Sequence, residues 1–310
     1  TGTVTTNIGA GIGSGGTVTS TGENTVTFAE LSDATYSSKT ITLTDTAGNA
    51  SSLTLSTFTV DTTAPTAAIT YSGSGGSPYK NGNTVTITAT FNGPVLETPV
   101  PTIAIVGSGS LGATSSTDMT RSSATVYTYS YSVPTGDGTG TVTVGTGTDA
   151  AGNIVTATPT SGATFVVDNT APSLTQQTVV VTPSNDTTPS YVFTTGEAGT
   201  ITSSLAFTTT TSATTGSNQT ITFATVSAGV YSGETVTVTD TAGNAGSITI
   251  PDFTIDTTAP GLTVYSTTSG VTDGSTTNDS SISMVFVASE ATTNFASGDI
   301  TVANGEITSF

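Results

Sequence analysis

The chain has 310 residues and is lean in apolar side chains: 34% hydrophobic, 6% aromatic and without Trp. Its 21 Asp and Glu stand against three basic residues, Lys39, Lys80 and Arg121, for a net charge of −18. With so few cations it cannot neutralise phosphates as a nucleic-acid binder must, or present a polybasic patch to anionic lipid. With neither Cys nor His, disulfides, thiolate or imidazole metal sites and Ser-His-Asp or Cys-His catalysis are also excluded.

Thr, Ser, Gly and Val dominate, and β-branched residues suit a pleated, half-buried surface while Gly, Asn and Asp supply turns. The expected class is all-β. No apolar run reaches the roughly 18 residues of a membrane span, so no membrane insertion is expected of this segment. Thr1 to Thr6 carry no basic n-region, and the chain reads as an internal stretch of a longer protein.

Taken from the N-terminus, the first landmark is Gly11-Ile12-Gly13-Ser14-Gly15-Gly16, read as a flexible loop; no Lys follows it to make a phosphate cradle. Next comes Thr44-Asp45-Thr46-Ala47-Gly48-Asn49, followed by Phe58-Thr59-Val60-Asp61-Thr62-Thr63-Ala64-Pro65. The same pair recurs as Thr148–Asn153 with Phe165–Pro172, and as Thr239–Asn244 with Phe253–Pro260. The spacing is roughly 90 to 105 residues, the size of a seven-stranded sandwich. Val85-Thr86-Ile87-Thr88-Ala89-Thr90-Phe91 and Val236-Thr237-Val238-Thr239 alternate apolar and polar residues, as half-buried strands do. Each Asp-x-Thr-Ala-Pro segment reads as a stiff linker. The expected units are 1–64, 65–171, 172–259 and 260–310, the first and last incomplete.

At these residues the chain resembles the bacterial immunoglobulin-like repeats of giant surface adhesins and related cell-envelope proteins. Asp-x-Ala-Gly-Asn … Phe-x-Val-Asp-x-Thr-Ala-Pro is similar to that family's F–G hairpin and inter-repeat linker. Tyr79–Phe91 with Pro94-Val95 resembles a common opening of such repeats. Ser289-Glu290 and Gly298-Asp299-Ile300-Thr301-Val302-Ala303-Asn304-Gly305 resemble another variant. The resemblance implies tandem immunoglobulin-like β-sandwich domains in an extended extracellular rod, often stiffened by Ca²⁺ between repeats, without catalysis. Gly93 departs from the pattern, since an acidic residue is usual there.

Sandwich topology places a cation independently. The end of strand B, the F–G loop and the incoming linker share one pole. Around residue 170 those places hold Glu197, Asp240 with Asn244, and Asp168; no Lys or Arg lies nearby in sequence, and Ca²⁺ takes oxygen ligands of this kind. By the same logic the preceding joint would use Asp61, Asp149 and Asn153, with Glu97 a poor substitute for the missing acid at Gly93. The following joint would use Asp256 and Glu290, and the first unit keeps Asp45 and Asn49. The competing reading is that Asp-x-x-Gly-Asn is only hairpin-turn chemistry.

Asn185-Asp186 and Asn278-Asp279 read as turn residues, and Asp118, Asp137, Asp252 and Asp273 as solvated loop charges. Tyr127, Tyr129 and Tyr131 alternate, which sets three rings on one strand face as core packing or, less plainly, a sugar-stacking platform. Lys39 and Lys80 read as surface residues. The function expected first is structural: stalk repeats of a cell-surface adhesin or fibre, whose partners are neighbouring repeats of the same long chain. Self-assembly of identical chains into a filament, sheath or surface layer, and a glycan-binding module, are the other two readings.

Overall fold

The computed structural model describes every residue of the chain except Ser20 and Thr210. The described residues are all-β: strands joined in small antiparallel sheets, with a single 3₁₀ turn at Ser297–Asp299 as the only helical piece among them. None of the described helices is long and apolar enough to cross a membrane.

Between Ala67 and Val167 two four-stranded sheets face each other. One runs, edge to edge, Thr120–Arg121, Val126–Ser132, Thr84–Phe91, Ala67–Gly73; the other runs Thr114–Asp118, Thr102–Gly107, Gly138–Gly145, Thr164–Val167. Parallel bridges Ala68↔Ser161 and Tyr79↔Val167 stitch the start of this region to its last strand, Thr164–Val167, and to the segment just before it. The alternation at 84–91 is realised, with Val85, Ile87, Ala89 and Phe91 buried and Thr at every position between them. These side chains meet Ile103, Ile105, Val142, Val144 and Phe165 in one core. The Phe165 ring lies 5.3 to 6.3 Å from those of Tyr71, Tyr79 and Tyr131. Tyr127 and Tyr131 are buried and Tyr129 packs against the same core. The three rings therefore face inward and form no stacking platform.

A second, separate core lies between Val180 and Ile255 and includes Tyr191, Phe193, Ile201, Ile221, Val236, Val238 and Phe253. It is enclosed by the sheet Leu174–Thr178, Ser190–Thr195, Asn218–Thr222 and by the sheet Ser212–Ala213, Gly199–Ser203, Thr235–Thr239, Ala245–Thr249. A short ladder pairs Gly229–Tyr231 with Phe253–Ile255.

The flanks are thinner. Gly2–Thr6 lies between Thr17–Val18 and Thr40–Asp45, which pairs in turn with Ala50–Thr54. Ile12–Ser14 pairs with Thr27–Phe28; the Gly-rich segment read as a loop thus carries a short strand, its glycines leaving room for the opposing backbone. Leu262–Ser266 pairs with Met284–Ala288 as a hairpin, and no side chain after Ile255 is buried.

Candidate metal centre at the Asp168 linker

The three Asp-x-x-Gly-Asn motifs form the same turn. Each aspartate accepts from the main-chain N–H of its asparagine through Oδ1 and from that side chain's Nδ2 through Oδ2, at 2.8 to 3.0 Å (Asp45–Asn49, Asp149–Asn153, Asp240–Asn244). Gly48, Gly152 and Gly243 sit at φ of +88°, +92° and +88°, a conformation open to glycine. At Asp45 and Asp149 these bonds hold the carboxyl below its usual range, the asparagine side chain contributing most. All three motifs therefore form hairpin turns.

The turns do more than close hairpins. Asn153 Nδ2 also donates to the carbonyl of Asp61, and Asn244 Nδ2 to the carbonyl of Asp168, both at 2.9 Å. One amide thereby fixes the turn and grips the linker that enters its sandwich. Close approach is enforced nearby: a Cβ at Gly246 would fall 1.8 Å from the carbonyl oxygen of Pro172.

The strand ending at Thr195 brings in the third group. Thr195 Oγ1 donates to the carbonyl of Glu197 at 2.8 Å, and Gly196 N–H to Ser173 at 2.8 Å, so the bend after the strand is held at two points. Glu197, Asp168 and Asp240 then offer carboxylate oxygens that all lie within 4.8 Å of one another. Oxygen ligands of one Ca²⁺ sit about 2.3–2.6 Å from it, so any two lie within about 5 Å of each other. The three groups meet that requirement. Burial pushes the Glu197 carboxyl up, reinforced by the charges of Asp168, Asp240 and Asp137. Its Oε2 is shielded from solvent and has no hydrogen-bond partner. A desolvated acceptor facing two like charges is what a bound cation would relieve.

The other expected positions differ. Among the described residues no second set of three carboxylates converges. Asp61 makes the same two bonds as Asp168, its Oδ1 accepting from the N–H two residues on and its carbonyl from the turn asparagine, but it is exposed where Asp168 is half-buried. Gly93 occupies the register position of Glu197, and Glu97 does not replace it: the carboxylate ion-pairs with Arg121 at 2.9 Å, on the exterior. Asp256 is exposed and accepts from Thr258 N–H. Glu290 stands at the register position of Glu197, and its Oε1 is likewise shielded and unpartnered.

Two residues expected at the surface belong to the joint around Asp168. Lys80 is half-buried and its ammonium donates to the carbonyl of Gly243, inside the Asp240 turn, although 163 positions separate the two in sequence. Asp137 is half-buried too. Its Oδ1 accepts from Asn169 N–H at 2.5 Å and its Oδ2 from Thr170 Oγ1 at 2.9 Å. Asn169 completes the knot, its Oδ1 accepting from Asn81 N–H and its Nδ2 donating to the Gly136 carbonyl at 2.6 Å. Distance along the chain hid Lys80. Asp137 had a signal: Asp33 occupies the matching place one repeat earlier.

No family model and no curated protein matches the chain. Among solved structures the chain is similar to the Bacteroides ovatus mixed-linkage glucan utilization locus protein SGBP-B, in complex with a mixed-linkage heptasaccharide. Identity is 16% and the TM-score 0.20, over 86% of this chain and 62% of that one. A likeness of that size carries no argument about binding.

Proposed function

We propose that this chain is a structural segment of a bacterial surface protein, an array of immunoglobulin-like sandwiches over 1–64, 65–171, 172–259 and 260–310, stiffened by Ca²⁺ at the Asp168 linker. The observation that carries it is the convergence of Asp168, Glu197 and Asp240 where one core hands over to the next. The strand order around the first core supports the fold reading. Counted as A to G, its sheets run D-E-B-A and C′-C-F-G, with the bend after strand A lying parallel to G, as in immunoglobulin domains. The repeated linker motif and its resemblance to adhesin repeats support an extracellular, non-catalytic role. A cation shared by the linker and two loops of the following sandwich would remove the main freedom of the joint and leave the array extended as a rod.

The test is thermal unfolding of the 310-residue chain in excess EGTA and in millimolar Ca²⁺. A ligand bound only by the folded state raises the melting temperature by mass action. A rise in wild type that Asp168→Ala and Glu197→Gln abolish supports the reading. An unchanged melting temperature with no heat of Ca²⁺ binding overturns the metal joint.

A further inference from the structure

The linkers are gripped by side chains that have no place in a cation site, and the grip follows a register rule. The last strand before each linker pairs with an upstream strand in the same way: Ala34↔Val60, Gly138↔Val167 and Gly229↔Ile255. Val60, Val167 and Ile255 immediately precede the linker aspartates Asp61, Asp168 and Asp256. The residue just before each upstream partner therefore stands opposite the linker. Those residues are Asp33, Asp137 and Ala228.

Asp33 accepts from Thr62 N–H at 2.9 Å, Thr62 Oγ1 at 2.7 Å and Thr63 Oγ1 at 2.6 Å. Asp137 accepts from Asn169 N–H at 2.5 Å and Thr170 Oγ1 at 2.9 Å. Hydrogen bonds to an ionised acceptor are roughly twice as strong as neutral ones, and two or three on one carboxylate fix consecutive linker residues to the sandwich behind them. On the forward side Asn153 and Asn244 hold the carbonyls of Asp61 and Asp168, and Lys80 reaches across to Gly243. Ala228 has no acceptor to offer. Among the described residues the Asp256 linker has no carboxylate clasp from the sandwich behind it, and it keeps only the bond common to all three linkers, from the N–H two residues on to the linker aspartate.

We infer that Asp33 and Asp137 are linker clasps that set the orientation of successive sandwiches with or without a bound cation, and that the joint at Asp256 is the pliant one because Ala228 occupies the clasp position. This goes beyond the metal reading, because the clasp needs no ion.

The chain has no cysteine, so paired spin labels can be placed on the full 310-residue protein without background. One pair, Ser116→Cys with Thr220→Cys, spans the Asp168 joint; the other, Thr220→Cys with Thr263→Cys, spans the Asp256 joint; all three positions are exposed strand residues. Distance distributions are recorded in EGTA throughout, so a failure of Ca²⁺ binding does not bear on the outcome. The expected result is a narrow distribution across Asp168 and a broad one across Asp256. Asp137→Ala should broaden the first, and Ala228→Asp should narrow the second. Ala228→Asp adds an exposed carboxylate at a turn, so its readout survives if Asp137→Ala misfolds. Equal widths at the two wild-type joints, or an Ala228→Asp distribution as broad as wild type, would overturn the inference.

Discussion

Asn244 donates one side-chain amide nitrogen to two acceptors, the Asp240 carboxylate and the Asp168 carbonyl, both at 2.9 Å. The turn of one hairpin and the linker entering its sandwich therefore share a donor group, and Asn153 repeats the arrangement with Asp149 and Asp61. The group that holds the linker is thus itself held in place by the turn.

Asn244→Ala removes both bonds and leaves the Asp168 carbonyl and Asp240 Oδ2 half-buried without that partner. Net losses of about 0.5–1.5 kcal/mol per hydrogen bond put the expected destabilisation of the second core at about 1–3 kcal/mol. Urea unfolding measures it. Asn244→Asp should be worse in EGTA than Asn244→Ala, since it adds a fourth carboxylate to the Asp168, Glu197 and Asp240 cluster.

The two cores share no buried residue, so damage to one should spare the other. Phe165 is buried at the meeting point of three tyrosine rings, and truncating such a ring costs about 3–5 kcal/mol. Phe165→Ala should unfold the Ala67–Val167 sandwich early while the transition of the 180–255 core shifts little, because distant sites are nearly additive. Calorimetry on the full chain would show one transition moving away from the other. A single transition that moves as a whole would mean the linker bonds couple the two sandwiches into one cooperative unit.

Much of this was legible in the sequence because it follows from local periodicity and repetition. Alternation at 84–91 and 236–239 announced strands facing a core, and three copies of one motif placed hairpin turns and linkers in register. Topology then brought Asp168, Glu197 and Asp240 together from positions far apart in the chain. What escaped was contact that neither period nor motif encodes. Lys80 reaches Gly243 only because the bend after the first strand of one sandwich abuts the loops of the next. Asp137 looks like any Asp-Gly turn until strand pairing shows that it faces the linker. The inward rings of Tyr127 and Tyr131 were the plain expectation from alternation, and they are in the core.

Glu197 makes the pH dependence of the joint unusual. Burial and the charges of Asp168, Asp240 and Asp137 raise its folded value above the usual 4.5, so between the two values the folded state binds more protons than the unfolded one. Stability from this group is present below 4.5 and is lost as pH rises through the folded value. Asp33 has the opposite sign: the Thr63 and Thr62 hydroxyls and the Thr62 N–H hold it below its usual 3.8, so its contribution is present above 3.8 and lost as pH falls through the lower folded value. Glu197→Gln removes the first dependence. In EGTA at neutral pH it should melt higher than wild type, and in millimolar Ca²⁺ lower, an inversion that a purely structural glutamate would not give. Melting curves at neutral and mildly acidic pH, with and without Ca²⁺, read both effects.

Gly93 offers a constructive test of the same chemistry. It stands two residues beyond the strand Thr84–Phe91, as Glu197 stands two beyond Ser190–Thr195, and both strands pair identically with the strand that follows their linker, Phe91 with Ala67 and Thr195 with Leu174. A Cβ at Gly93 meets nothing within 4 Å, and its φ lies outside the left-handed region, so a side chain is accommodated without strain. The turn aspartate Asp149 and the linker residue Asp61 are already joined to Asn153 there. Gly93→Glu supplies the third carboxylate. In EGTA the added like charge should lower the melting temperature of the Ala67–Val167 sandwich. In Ca²⁺ it should raise it, and titration calorimetry should register one more site than in wild type. An unchanged stoichiometry would show that three carboxylates at this pole do not suffice.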